Sequence, residues 1–436
     1  MGCLRFETTI AVAVLLLAGI SLGQDSSSVI IKPNGHASME GGEIVKGYDK
    51  NATTADGDIN HTWTEKILTG FGLDVHLGRY TDLLSGVEIE TFNEDTRLVT
   101  LGATRRFYYY LYVTQAELTH TVFDGPDWKL KIGGGYFPYK YNGDVRNLGE
   151  YLFRSTTYPQ TLTTDFDMPF ARLAGVYAKG AYSAGSNNFT LDALATINTE
   201  WAAILDVNLS LVASYNLAQI FEIGAGVSFC SLLSADDSTT TPKNNATAYL
   251  DGQDTAYYTF KGTKVMGRFS FDPKKLFPSD IFGNQDLKLY GEACLIGVQN
   301  YPAAINSPIW YNSILERIPV MIGFNAPSFK LLDVLSLEGE WWGNRYPNSL
   351  EGVVRDGLPI PFEPGTVEID STKYKEDDLK WSIYGCKTFA EHYRVTFQVA
   401  DDHMRTFAWD WDRQDWEECL RAHGCGYYAL KFGVMF

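Results

Sequence analysis

The sequence predicts an all-β fold, a transmembrane antiparallel up-and-down β-barrel of about 16 strands, within a range of 14 to 18. Three observations carry this prediction. Apolar side chains recur at every second position in segment after segment from Phe71 onward. The connections between segments are short or moderate after every even-numbered one and long only after odd-numbered ones. The chain stops in mid-pattern, Tyr427 to Phe436 (YYALKFGVMF), on an aromatic residue. Side chains alternate across an extended strand, so a period of two marks a strand with unlike faces. The segments have the length that a tilted membrane strand needs.

The segments follow in order. Phe71, Leu73, Val75 and Leu77 oppose Gly72, Asp74, His76 and Gly78, and Val87 and Ile89 oppose Glu88 and Glu90. Val99 to Ala103, Phe107 to Val113 and Trp128 to Tyr136 come next, then a weaker stretch, Phe170 to Gly180, and a clearer one, Phe189 to Ile197. Leu205 to Leu211 and Phe221 to Phe229 are the cleanest pair, joined by a turn near Asn216. Phe260–Phe271, Leu287–Val298, Ile318–Phe324, Lys330–Trp341, Leu379–Lys387, Tyr393–Ala400 and the terminal strand complete the set. The long connections are Pro138 to Pro169, Cys230 to Tyr257, Gln299 to Glu316, Gly343 to Asp378 and Asp401 to Gly426. A soluble sandwich has no reason to sort its loops by parity, and no repeat of propeller length is present.

Three regions follow: a signal peptide, 1–23; a flexible polar periplasmic arm, 24–65; and the barrel, 66–436. Arg5, the apolar run Ile10 to Ile20 and the small residues Ser21-Leu22-Gly23 form an export signal too short to span a bilayer as a helix. Cys3 precedes the apolar run, so the signal is not of the lipoprotein type. The formal charge of −17 argues against a nucleic-acid partner. Five cysteines follow the signal; Cys419 and Cys425 are near enough in sequence to close a small disulfide loop, or to remain two thiols.

In the barrel the apolar face meets hydrocarbon, because only a closed cylinder pairs every backbone group there. The opposite face supplies the pore-lining candidates: Glu88, Glu90, Arg106, Lys129, Lys131, Lys264, Arg268, Lys288, Glu292, Glu338, Glu340 and Arg394. So many charges suit water better than a packed core. Trp128, Tyr136, Trp341, Trp342, Trp381 and Tyr428 are candidates for interfacial girdles.

The aromatic ending, with Tyr428, Phe432 and Phe436 on one face, resembles that of bacterial outer-membrane barrel proteins. The resemblance implies Sec-type export, residence in the cell outer membrane among its lipid and lipopolysaccharide, and recognition of the last strand by the barrel-assembly machinery. Strand count, loop asymmetry and the lack of a plug domain make Phe71 to Phe436 similar to general porins. That similarity implies passive diffusion of small hydrophilic solutes, with a homo-trimer as an assembly open to it. It also implies a third external loop folded into the lumen; here this is Pro138 to Pro169, with Asp144, Glu150, Asp165 and Asp167 and the bases Arg146 and Arg154.

The alternative is a surface barrel whose long loops bind glycan or another cell-envelope component. The last external loop interleaves Asp410, Asp412 and Asp415 with Trp409, Trp411 and Trp416, a pattern open to Ca²⁺ and to sugar rings. No cofactor is otherwise expected. His120 and Asp124, and His403 with Asp401 and Asp402, have no companion nucleophile motif, so an enzyme is not expected.

Overall fold

The computed structural model describes residues 29–46, 60–94, 106–153, 171–197, 205–233, 248–251, 254–257, 262–277, 280–298, 315, 318–341, 379–401 and 426–436. Its strands are β1 (Val29–Lys46), β2 (Thr62–Leu77), β3 (Thr81–Glu94), β4 (Arg106–Asp124), β5 (Trp128–Tyr139), β6 (Ala171–Ala184), β7 (Asn187–Ile197), β8 (Val207–Leu217) and β9 (Phe221–Leu233). They continue as β10 (Ala248–Asp251), β11 (Asp254–Tyr257), β12 (Gly262–Phe271), β13 (Leu289–Leu295), β14 (Val320–Asn325), β15 (Val334–Trp341), β16 (Leu379–Phe389), β17 (Tyr393–Asp401) and β18 (Gly426–Met435). β10 and β11 form a separate hairpin. The other sixteen close into one antiparallel barrel in sequence order, with β18 returning to β1. Closure pairs the edge N–H and C=O groups of the first and last strands, which matters most where no water can replace them.

The seam sets Glu40 opposite Lys431 and Met39 opposite Phe432. Its last rung is the C-terminal residue: Gly35 N–H donates to the Phe436 carbonyl and Phe436 N–H to that of Gly35, each at 2.9 Å. A Cβ on Gly35 would stand 2.6 Å from the Phe436 ring, so the glycine leaves the space the terminal aromatic fills.

Two expectations are corrected here. The region 24–65, expected to be a polar arm, contains β1 and the first residues of β2, both in the barrel wall. The period of two is present in β1, with Ile31, Pro33, Gly35, Ala37, Met39 and Gly41 on the side of β2's Phe71 and Leu73. Those outward side chains are mostly small, so the hydropathy contrast is weak. The ring of Trp63 lies 3.2 Å from where a Gly41 Cβ would be, an aromatic supplying the apolar cover that the glycine lacks. The second correction concerns Val99 to Ala103. These residues lie outside the described ones, but β3 and β4 on either side of them pair directly, so no barrel strand stands between. One strand missed and one added leave the count at sixteen.

The connections after β2, β4, β6, β8 and β16 are two or three residues long: 78–80, 125–127, 185–186, 218–220 and 390–392. At the same end, 272–288 and 326–333 are longer. The opposite end carries 47–61, 95–105, 140–170, 198–206, 234–261, 296–319, 342–378 and 402–425. The outer surface is apolar and exposed, through Phe71, Leu111, Val176, Leu211, Ile223, Val265, Ile322, Leu337 and Leu430. Trp63, Trp341, Trp381 and Tyr428 cap this band at the long-loop end. Tyr80, Trp128, Tyr215, Phe221 and Tyr393 cap it at the short-turn end, in the arrangement of two interfacial girdles. Tyr136 is half-buried at mid-barrel and belongs to neither; Trp342 lies outside the described residues.

Candidate functional site: the lumen and its inward segment

The buried core of this protein is inside the barrel. After β5 the chain turns inward, and Tyr141, Val145, Leu148, Tyr151, Leu152 and Phe153 pack on wall residues Tyr177, Leu194, Val212, Met266, Tyr290, Cys294 and Met321. Ring contacts fix the start of the segment: Phe137 meets Tyr177 edge-on at 4.8 Å and Tyr139 meets Phe153 at 5.1 Å.

The segment is pinned by wall carboxylates. On β15, Glu338 accepts from three consecutive backbone N–H groups, Arg146 at 2.6 Å, Asn147 at 2.8 Å and Leu148 at 2.9 Å, and from the Tyr290 hydroxyl at 2.8 Å. Consecutive N–H groups converging on one anion form a nest. On β13, Glu292 accepts from Tyr141 Oη at 2.5 Å, Asn142 Nδ2 at 3.1 Å, Glu150 N at 3.2 Å and Tyr151 N at 2.9 Å. Glu340 takes the Tyr151 hydroxyl at 2.8 Å, and Lys264 Nζ donates to the Tyr151 carbonyl at 3.0 Å.

The tip makes a left-handed step at Gly149 (φ 94°) and Glu150 (φ 62°). Gly149 suits this backbone angle, which side chains with a Cβ rarely adopt, and a Cβ there would also press on the Met321 methyl at 2.8 Å. Glu150 tolerates its positive φ because its N–H is held by Glu292 and its own carboxylate accepts from Asn142 N at 2.6 Å.

Asp144 reaches the short-turn end of the wall, accepting from Ser270 Oγ at 2.7 Å and pairing with Lys288 Nζ at 2.9 Å. Burial pushes its carboxyl up, but the Lys288 ammonium and the Ser270 hydroxyl outweigh burial and hold it below the usual Asp value. Below the segment is a cavity of about 620 Å³, lined in part by Asp144, Asn216, Glu222, Ser270, Lys274 and Lys288.

The arc from β1 to β4, with Arg172 reaching in from β6, carries a polar and charged network. Glu88 pairs with His36 at 3.2 Å and with Arg172 at 3.2 Å, and the Arg172 guanidinium lies 5.2 Å from the Tyr112 ring centre. Glu90 pairs with Lys66 at 3.3 Å and accepts from Tyr112 Oη at 3.1 Å. Between the two arcs, Lys179 lies 4.9 and 4.8 Å from the ring centres of Tyr139 and Tyr177, a cation between aromatic faces.

Four pore-lining candidates need correction. Lys264, Glu292, Glu338 and Glu340 point inward, but they are buried beneath the inward segment and hold it, so they do not face water. Charge on an inward face is therefore no guide to solvation when a loop lies on top. Glu88, Glu90 and Arg268 face inward in ion pairs, Arg268 with Glu222 at 2.5 Å. Lys288 is taken by Asp144. Lys131 is half-buried on the inward face of β5, and Lys129 sits at the short-turn rim beside Asp124 at 3.3 Å. Arg394 donates to Cys386 Sγ at 3.1 Å and Tyr384 Oη at 2.9 Å.

Arg106 is in β4, with its side chain outside the described residues. Of the loop candidates, Asp144, Arg146 and Glu150 belong to the inward segment, whereas Arg154, Asp165 and Asp167 lie outside the described residues. So do Cys419, Cys425, Asp410, Asp412 and Asp415. Tyr428 and Phe432 stand in β18 and Phe436 follows its last residue, with the Tyr428 hydroxyl 2.6 Å from Glu43.

Sequence reasoning passed over Tyr290, Ser270, Arg172 and His36. Tyr290 and Ser270 were open to the period-two rule, lying two residues from Glu292 and Arg268; Arg172 falls in the weakest segment and His36 in the missed strand.

No protein-family model and no curated protein matches the sequence. Among similar solved structures, Salmonella typhi OmpF in complex with daunomycin has 10% identity and a TM-score of 0.46, with 93% of this chain and 97% of that chain covered. A mutant of Rh. blastica porin has 8% identity and a TM-score of 0.39, covering 93% and 100%. A triple mutant of Rhodopseudomonas blastica porin gives the same values. These likenesses are slight. The fold itself is a closed antiparallel barrel of sixteen strands.

Proposed function

We propose that this chain is an outer-membrane channel for passive diffusion of small hydrophilic solutes, narrowed by its own inward segment. The observation that carries the proposal is the docking of residues 140–153 on the β12–β15 arc through Glu292 and Glu338. A barrel of sixteen strands is wide enough to leave an aqueous passage. A segment fixed to one side narrows that passage without the mobile plug of a gated transporter. The ion pairs Glu88–Arg172 and Lys66–Glu90, with the His36 ring 3.2 Å from Glu88, offer a polar wall of mixed sign. Charges this evenly mixed filter by size more than by sign.

On this reading the apolar band sits in outer-membrane lipid below the lipopolysaccharide, after Sec-type export, and the Phe436 seam is the end that the barrel-assembly machinery would read. Homo-trimerisation and Ca²⁺ at the last external loop belong to the same proposal.

Liposome swelling tests it. Vesicles carrying the refolded barrel are expected to swell in sugars at rates that fall as solute size rises. Vesicles that hold folded barrel yet stay closed to the smallest sugar would overturn the channel reading.

A further inference from the structure

We infer that the connections 272–288 and 326–333 form a membrane-anchoring lobe that beds its apolar side chains in the headgroup region of the phospholipid leaflet at the short-turn rim. This rests on the membrane reading above.

The two connections are separate in sequence but joined in space. The Phe282 and Phe329 rings stack at 5.8 Å. The Asp286 carboxylate gathers Gly283 N–H at 2.8 Å, Ser328 Oγ at 3.0 Å and Phe329 N–H at 3.1 Å. Lys274 Nζ donates to the carbonyls of Asn284 and Asp286 and pairs with Asp272. These polar groups are consumed within the lobe, and Leu276, Phe277, Ile281, Phe329 and Leu331 are 45 to 78% exposed, whereas the exposed Lys275, Asp280 and Asn284 line the cavity. A turn facing only water gains nothing from five large apolar side chains, and a contiguous exposed patch of this kind marks an interaction surface.

Continuity identifies what covers it. The strand ends that enter the lobe place Phe271, Leu289 and Phe324 on the outer face, where they are the last members of the lipid-facing band. The lobe prolongs that band past the ends of the strands. Lys330 stands exposed among the apolar residues, and its stem can lie along hydrocarbon while the ammonium group reaches phosphate. Apolar side chains flanked by lysine at the edge of a membrane band describe an interfacial anchor. Phe282 and Lys274 line the cavity at the lumen mouth, so the lobe has a wet side as well as a greasy one.

The test uses I281C and L331C, each in a C419S/C425S background and each labelled with an environment-sensitive fluorophore. Cys230, Cys294 and Cys386 are buried and take no label. The folded barrel, checked by heat-modifiable migration, is reconstituted in phosphatidylcholine vesicles brominated near the headgroup or deep in the chain. I322C, in the middle of the band, is the control. Both lobe labels are expected to lose most emission with shallow bromines, and the control with deep ones. Lobe labels that keep full emission while the control is quenched would overturn the anchor and leave the membrane reading intact. Loss of quenching at all three positions would overturn both.

Discussion

Replacing Glu338 by Ala removes the carboxylate that holds Arg146, Asn147, Leu148 and Tyr290 at once. Hydrogen bonds to an ionised group contribute about 1.5–3 kcal/mol each, which would sum naively to about 6–12 kcal/mol. That sum overshoots, because water can enter the vacated volume and partly satisfy the three amides. Breaking a buried charged network by deleting one member costs about 3–5 kcal/mol, the better guide here. At about 1.4 kcal/mol per decade, undocking of the segment becomes some 10²–10³-fold more populated. Glu338→Gln keeps the volume and one acceptor oxygen, so its cost should be about 1–3 kcal/mol. Hydrogen exchange of the Arg146, Asn147 and Leu148 amides reads this directly in the folded barrel. E338A should accelerate all three together while the β13–β14 ladder stays protected. Unchanged protection at residues 146–148 in E338A would refute the claim that this carboxylate holds the segment.

Gly135 sits at φ 125° with the Ala116 carbonyl 2.0 Å from where a Cβ would be, so Gly135→Ala should cost at least about 1–3 kcal/mol, read as an earlier urea transition in detergent. Asp144 is held below its ordinary pKa, so the docked state resists protonation. Its contribution is full above the ordinary Asp range and is lost as pH falls through the depressed value. Protection factors at residues 144–148, corrected for the intrinsic pH dependence of amide exchange, should therefore be flat from neutral pH to about 5 and fall below about 4, and Asp144→Asn should blunt that fall. Ile322→Arg, in the exposed band, should destabilise the barrel in vesicles by about 2–4 kcal/mol if that face meets mid-bilayer hydrocarbon, and should matter far less in a surface facing water.

Most of the wall was legible in the sequence because a lipid-facing strand leaves a plain alternation. Leu211 with Val227 and Leu337 with Ile383 are outward pairs that the period of two assigns to one face before any register is known. β1 escaped notice for a physical reason. Between Ile31 and Met39 its outward positions are proline, glycine and alanine, another glycine follows at 41, and the apolar cover of Gly35 and Gly41 comes from Phe436 and Trp63 on the neighbouring strands. The inward turn of the third external loop was expected only through likeness to porins. Its fastening was not legible at all, because Glu338 and Arg146 are 192 residues apart and meet only through the registry of seven intervening barrel strands and a fold of the loop. The same non-local packing turned four expected water-facing charges into buried clasps.

The channel account is tested most directly by single-channel recording in a planar bilayer, comparing the native chain with one in which residues 142–152 are replaced by a short Gly-Ser link. The account predicts stable open steps for the native chain and larger steps once the docked segment is gone. A folded native barrel that never conducts, or equal steps from both proteins, would contradict it.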